Sequence, residues 1–225
     1  MRVVQNYLSP DSLKSLQEYI DSLTLFGTSS NNNYNDADKD ILAFSGTYRF
    51  SEDKEDLYNR FPGFKQYIET IVDDDCNVFH FVCLKSGVGM SIPWHVDDDI
   101  KDLIQPTTQV ERAVYQVPWE EAHPLNKLRI VSKHTTVLYV DVPEDMKGGE
   151  LHICLAIGRE AVEGIDDKII EPETNMLVKF DGAHYHQVLE ITEGSRERVA
   201  IVCEQYKLSK RNLQLLPTTP IVSEG

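Results

Sequence analysis

Trp94-His95-Val96-Asp97 sets an imidazole and a carboxylate two positions apart in a segment rich in strand-forming residues. On a strand, residues two apart share a face, so His95 and Asp97 offer two adjacent ligands to a divalent metal. A third ligand has to come from elsewhere in the chain. The best candidate is His186, in Phe180-Asp181-Gly182-Ala183-His184-Tyr185-His186-Gln187-Val188. Two imidazoles and one carboxylate on a single face leave the remaining positions of an octahedral ion open. That is the ligand set of non-haem Fe(II) oxygen chemistry. Neutral imidazoles with one carboxylate also keep the site near charge balance, with room for an anionic co-substrate.

Such ligands need rigid elements behind them. Leu13, Leu16, Tyr19, Ile20 and Leu23 recur at helical spacing over residues 9–24, and Ser9-Pro10-Asp11 is a helix start: a cap, a first-turn proline and an acidic residue at the positive end of the dipole. Residues 28–40 are polar and of low complexity and are expected to form a loop. A second helix is expected over 64–74, with Phe64, Tyr67, Ile68 and Ile71 on one side. From Asn77 the texture changes to β-branched and aromatic residues. Strands are expected over 78–84, 91–97, 135–142, 150–157, 175–180, 185–191 and 197–206, separated by turns such as Lys147-Gly148-Gly149 and Asp181-Gly182. Helices first and short strands after them argue for an α+β, mainly β fold with an antiparallel sandwich or barrel. Residues 98–133 read as an insertion over one mouth of that barrel.

The chain has 225 residues, a size that suits one domain. Its net charge is −15, which works against both a nucleic-acid partner and an anionic membrane surface. No apolar run approaches a membrane span, and Met1 to Leu8 has no secretory character, so a cytoplasmic protein is expected. Cys76, Cys83, Cys154 and Cys203 form no C-x-x-C and read as free thiols.

Several segments follow the His-x-Asp in a fixed order. Thr135-Thr136-Val137-Leu138-Tyr139-Val140-Asp141 leads to Gly148-Gly149-Glu150-Leu151. Met176-Leu177-Val178-Lys179-Phe180 then precedes His186-Gln187-Val188, and Arg196-Glu197-Arg198-Val199-Ala200-Ile201 comes last. In that order they resemble the 2-oxoglutarate- and Fe(II)-dependent oxygenases, most closely the prolyl-4-hydroxylase-like branch. The resemblance covers 77–206. It implies a double-stranded β-helix (a jelly-roll, cupin-like core) with the N-terminal helices packed outside. One oxygenase domain over 1–225 would then divide into helical support (1–76), a core (77–206) with the 98–133 insertion, and a tail (207–225).

The resemblance also implies a site. His95, Asp97 and His186 would be the catalytic metal ligands for Fe(II). His186 stands in the His-x-Val that the family shows, and His184 is the competing histidine. 2-Oxoglutarate and O2 would be co-substrates, and ascorbate an accompanying reductant. An arginine suits the far carboxylate of 2-oxoglutarate because its planar fork stays charged. Arg198 and Arg196 share strand parity; Arg198 is favoured because the Val199-Ala200-Ile201-Val202-Cys203 that follows it fits the family's arginine opening an apolar strand, whereas Arg196 better fits a Gly-x-Arg turn. Lys85 stands where this branch often has a tyrosine, so either Lys85 or Tyr139 is a candidate for a second co-substrate contact. His80, His123, His134 and His152 are not needed as ligands, and His152 reads as a structural histidine.

The implied reaction is hydroxylation of an unactivated C–H with release of succinate and CO2. Halogenating members lack the carboxylate that Asp97 supplies. Nucleic-acid demethylases carry a second arginine six positions beyond the first, where Glu204 or Val202 stands here. A small amino-acid-like or natural-product substrate is the first expectation, and a side chain in a peptide or protein the second. A non-catalytic, metal-binding, cupin-like domain is the alternative of another class.

Overall fold

The computed structural model describes residues 1–24, 26–28, 42–97, 100, 130–155, 167–216 and 221–223. Along the chain these form β1 (Arg2–Val4), α1 (Pro10–Ser22), β2 (Gly27–Thr28), β3 (Leu42–Arg49), α2 (Phe50–Arg60), α3 (Lys65–Ile71), β4 (Val78–Ser86) and β5 (Ile92–His95). There follow β6 (His134–Asp141), β7 (Lys147–Gly148), β8 (Leu151–Cys154), β9 (Asp167–Ile170), β10 (Met176–Phe180) and β11 (His186–Val188). The last elements are β12 (Ile191–Glu193), β13 (Arg198–Tyr206), α4 (Lys210–Leu215) and β14 (Ile221–Ser223).

The strands form a major sheet in the order β1-β10-β6-β13-β4-β3-β14, with β2 also on β3. A minor sheet runs β5-β11-β8-β9, and β12 pairs with β7 as a ribbon. Every pairing described is antiparallel.

Alternation along β13 divides the core into two layers. Val199, Ile201 and Cys203 face the helices and pack with Leu16, Ile20, Tyr67 and Ile68. Ala200 faces the other way, into a cluster of Val137, Tyr139, Met176, Val178 and Phe180 that meets Leu151 and Ile153 of the minor sheet. The space between the two sheets is therefore the barrel interior, and the helices close the outer face of the major sheet.

α1 starts where its sequence signals place it. Ser9 Oγ accepts the Ser12 amide at 3.2 Å, Pro10 opens the helix, and Leu16 and Ile20 are buried. The second expected helix is shorter than 64–74: a 3-10 turn at Pro62–Phe64 leads into α3. β3 and α2 were not expected. Ser45, Gly46 and Thr47 dilute the apolar pattern of β3, and α2 is dominated by charge, yet both bury residues because β4 and the neighbouring helices cover them. The expected strand over 185–191 is broken in two. β11 joins the minor sheet and β12 the ribbon, with Leu189 and Glu190 crossing between them.

No helix among the described residues is long and apolar enough to cross a membrane. The expected loop over 28–40 and the 98–133 insertion lie outside the described residues, except for Thr28, Ile100 and 130–133.

Candidate metal centre and buried arginine

His95 ends β5 and His186 opens β11, and the two are direct partners across the antiparallel pair. Their rings lie 4.1 Å apart. Each Nδ1 meets a backbone carbonyl two residues back: His95 that of Pro93 at 2.8 Å, His186 that of His184 at 3.0 Å. A carbonyl can only accept, so both Nδ1 atoms carry the proton and both Nε2 atoms carry the lone pair. This is the tautomer that ligates a metal through Nε2.

Both Nε2 atoms face Oδ1 of Asp97, at 3.8 Å from His95 and 3.4 Å from His186. The three candidate ligand atoms all lie within 4.8 Å of one another. Asp97 sits just past the end of β5. Its carbonyl accepts the Ser132 amide at 2.9 Å, and the Thr135 hydroxyl donates to Oδ2. Thr135 is held in turn by Ser132 at 2.9 Å. One carboxylate oxygen is thus committed to Thr135 while the other looks at the two imidazoles. Burial pushes the Asp97 carboxyl up, but in the metal-free protein the facing imidazoles in their protonated form, His186 foremost, together with the Thr135 hydroxyl hold it below its ordinary value. Phe180 backs His186 edge-on, with ring centroids 4.8 Å apart. Thr135 is the residue that sequence reasoning missed; its only signal there is that it shares strand parity with Val137 and Tyr139.

Arg198 enters the barrel interior from the first position of β13 and is 3% exposed. Its guanidinium lies over the Tyr139 ring at 5.4 Å, and Nη1 donates to the Gly149 carbonyl at 2.7 Å. Among the described residues Nε has no hydrogen-bond partner, and no carboxylate forms an ion pair with this arginine. Burial pulls its pKa down, against the raising influence of Tyr139 and Glu150. A buried cation with no carboxylate paired to it is costly, and a carboxylate beside it would supply both the charge and the missing acceptor. The donor set therefore fits a carboxylate. The three-ligand cluster likewise fits a first-row divalent metal. One apolar cluster joins the two features: Tyr139, against Arg198, packs with Phe180, against His186.

The other expected contacts fall elsewhere. Lys85 is on the helical side of the major sheet, 3.8 Å from Asp21 of α1 and 4.5 Å over the Phe26 ring. It shares parity with Phe81 and Cys83, which pack on the helices, so it is corrected from co-substrate contact to outer-face residue. Arg196 is exposed and makes a two-pronged pair with Asp141, Nη2 to Oδ1 at 2.9 Å. His184 contributes its carbonyl to His186, not its ring to the cluster.

No family model matches the sequence, and no curated protein matches it. Solved structures do. A prolyl-4-hydroxylase from Pseudomonas putida aligns at a TM-score of 0.50 with 15% identity, covering 92% of each chain. A 2OG-Fe(II) oxygenase family oxidoreductase from Burkholderia pseudomallei aligns at 0.51 with 10% identity, covering 91% of this chain and 82% of its own. A Trichoplax adhaerens prolyl hydroxylase, in complex with a hypoxia inducible factor peptide fragment, aligns at 0.50 with 13% identity, covering 96% and 87%. What this chain has in common with all three is the fold, a double-stranded β-helix with helices outside its major sheet.

Proposed function

We propose that the protein is an Fe(II)- and 2-oxoglutarate-dependent dioxygenase that hydroxylates an unactivated C–H bond. The observation that carries this reading is the pairing of two features in one barrel interior. His95, Asp97 and His186 converge their ligand atoms, and the same interior holds Arg198, buried with an unpartnered Nε among the described residues. A metal-binding domain without turnover needs the first feature and has no use for the second.

His95, Asp97 and His186 would hold the metal, with Thr135 fixing the free rotation of the carboxylate. Arg198 would clamp the far carboxylate of 2-oxoglutarate, and Tyr139 would back the guanidinium. When bound, Fe(II) with 2-oxoglutarate and O2 supplies the oxidation, turning 2-oxoglutarate into succinate and CO2 while one oxygen atom enters the substrate C–H. The chain's own work is binding, orientation and exclusion of water. No side-chain nucleophile is needed.

A small amino-acid-like or natural-product molecule is the first reading of the substrate. Asp97 and His186 are sunk at 4% and 6% side-chain exposure, and only His95, at 33%, gives access. A small molecule enters such a site whole. A peptide or protein side chain is the second reading, because one protein of the same fold is described with a peptide bound. The deciding experiment is anaerobic reconstitution with Fe(II) and 2-oxoglutarate, then exposure to O2 with panels of free amino acids, small metabolites and peptides. Succinate release coupled to hydroxylated product is expected. Metal uptake with no succinate under any panel would favour the non-catalytic alternative.

A further inference from the structure

The backbone alone holds the two histidine strands together poorly at the point that matters. β5 and β11 share only two register positions, His186 with His95 and Val188 with Ile92, and the register shifts between them. Pro93, inside that interval, has no N–H to give to a ladder. Something other than backbone pairing has to hold His95 in front of His186.

On the outer face of the minor sheet, one imidazole touches both strands. Neighbouring strand positions point to opposite faces, so Trp94 and Gln187 lie behind His95 and His186. His152, on β8, is the register partner of Gln187. Its ring centroid is 4.7 Å from that of Trp94, and its Nδ1 is 3.1 Å from the Gln187 side-chain amide nitrogen. An amide nitrogen only donates, so Nδ1 accepts. The other ring nitrogen, Nε2, then carries the proton and donates to Asp167 Oδ2 of β9 at 2.7 Å. Asp167 thereby fixes the tautomer that Gln187 requires. His152 and Asp167 are buried as a pair, at 10% and 13% side-chain exposure. Four strands, β9, β8, β11 and β5, are tied through this one ring.

We propose that His152 is a positioning residue for the metal centre, holding the two ligand-bearing strands in place through Trp94 and Gln187 with Asp167 behind it. The proposal rests on His95, Asp97 and His186 being the metal ligands. Its consequence is that metal affinity depends on a ring that never touches the metal, as outer partners of metal sites commonly set affinity by 10- to 100-fold.

The test is Co(II) titration of the metal-free protein, read by the visible ligand-field absorption, with thermal unfolding in chelator measured alongside. His152→Leu and Gln187→Leu are both used, since Gln187→Leu keeps the buried imidazole and the fold if His152→Leu does not fold. Each is expected to weaken Co(II) binding about 10- to 100-fold and to alter the absorption spectrum. His152→Asn, which keeps an acceptor near the Nδ1 position, should recover part of the loss. If the folded variants bind Co(II) with wild-type affinity and spectrum and lose only thermal stability, His152 is merely structural and the proposal is overturned. Wild-type Co(II) binding by Asp97→Ala would overturn the ligand assignment itself, and the positioning role of His152 with it.

Discussion

Arg198 Nη1 donates to the Gly149 carbonyl at 2.7 Å, and a Cβ on Gly149 would stand 3.0 Å from that same nitrogen. The glycine also has φ +75° and would press 2.9 Å onto Ile191 Cγ1 if it carried a side chain. The Gly-Gly turn thus serves the arginine: it offers a carbonyl and leaves the guanidinium its space. Gly149→Ala is expected to lower stability by about 1 kcal/mol or more, because the left-handed backbone and the overlap both oppose a methyl group. It should also weaken 2-oxoglutarate binding. Urea denaturation and calorimetric titration of the same preparation check the two effects.

Arg198→Ala should weaken 2-oxoglutarate binding by about 2–5 kcal/mol, or about 30-fold to several thousand-fold, while metal binding stays largely intact. Arg196→Ala breaks an exposed pair with Asp141, where less than about 1 kcal/mol is at stake, and should bind 2-oxoglutarate nearly as wild type does. Anaerobic titration of both variants decides between them. A loss confined to Arg196→Ala would mean that the wrong arginine is assigned.

Asp97→Ala and His186→Ala should each abolish succinate production, and His184→Ala should not. The contrast follows from geometry: His186 turns Nε2 to Asp97 at 3.4 Å, whereas His184 lends only a carbonyl. Activity lost in His184→Ala and retained in His186→Ala would exchange their roles.

Thr135→Val removes the hydroxyl that favours the charged form of Asp97. Burial raises this carboxyl, and the imidazoles and Thr135 bring it below its ordinary value, so deleting one of the lowering contacts moves it up. Protons then compete better for the site, and the midpoint of Mn(II) binding should move to higher pH. In the metal-free protein a depressed carboxyl contributes stability that is present above the ordinary carboxylate value, about 3.9, and lost as pH falls through the folded value. Thr135→Val should shrink that acid-side loss. A pH series of metal titrations and melting curves reads both.

Lys85→Ala should leave 2-oxoglutarate affinity unchanged, since the ammonium group sits over Phe26 beside Asp21 on the helical face. A clear drop in affinity would return this lysine to the site.

Short-range pattern carried much of this protein. His-x-Val and the parity of Arg198 with Ala200 follow from the two-residue repeat of a strand. The expected strand over 91–97 ends at His95, so Asp97 is placed instead by the Ser132 amide and the Thr135 hydroxyl. The start of α1 was equally legible, because a cap, a proline and an acidic residue act within one turn. β3 and α2 were not legible, since Gly46 and Thr47 of β3 are buried only because β4 covers them, and α2 buries, among its described residues, only Leu57 and Tyr58 amid charged and polar ones. Lys85 shows the limit of order-based reasoning: its place in the chain suggested the barrel interior, but its strand parity with Cys83 puts it outside. The same holds for the outward-facing ring of His152. Whether a buried histidine merely fills space or ties ligand strands together depends on which strands lie beside it. The pairing of β8 with β11 and of β11 with β5 joins residues far apart in the chain, and only the folded sheet brings them into register.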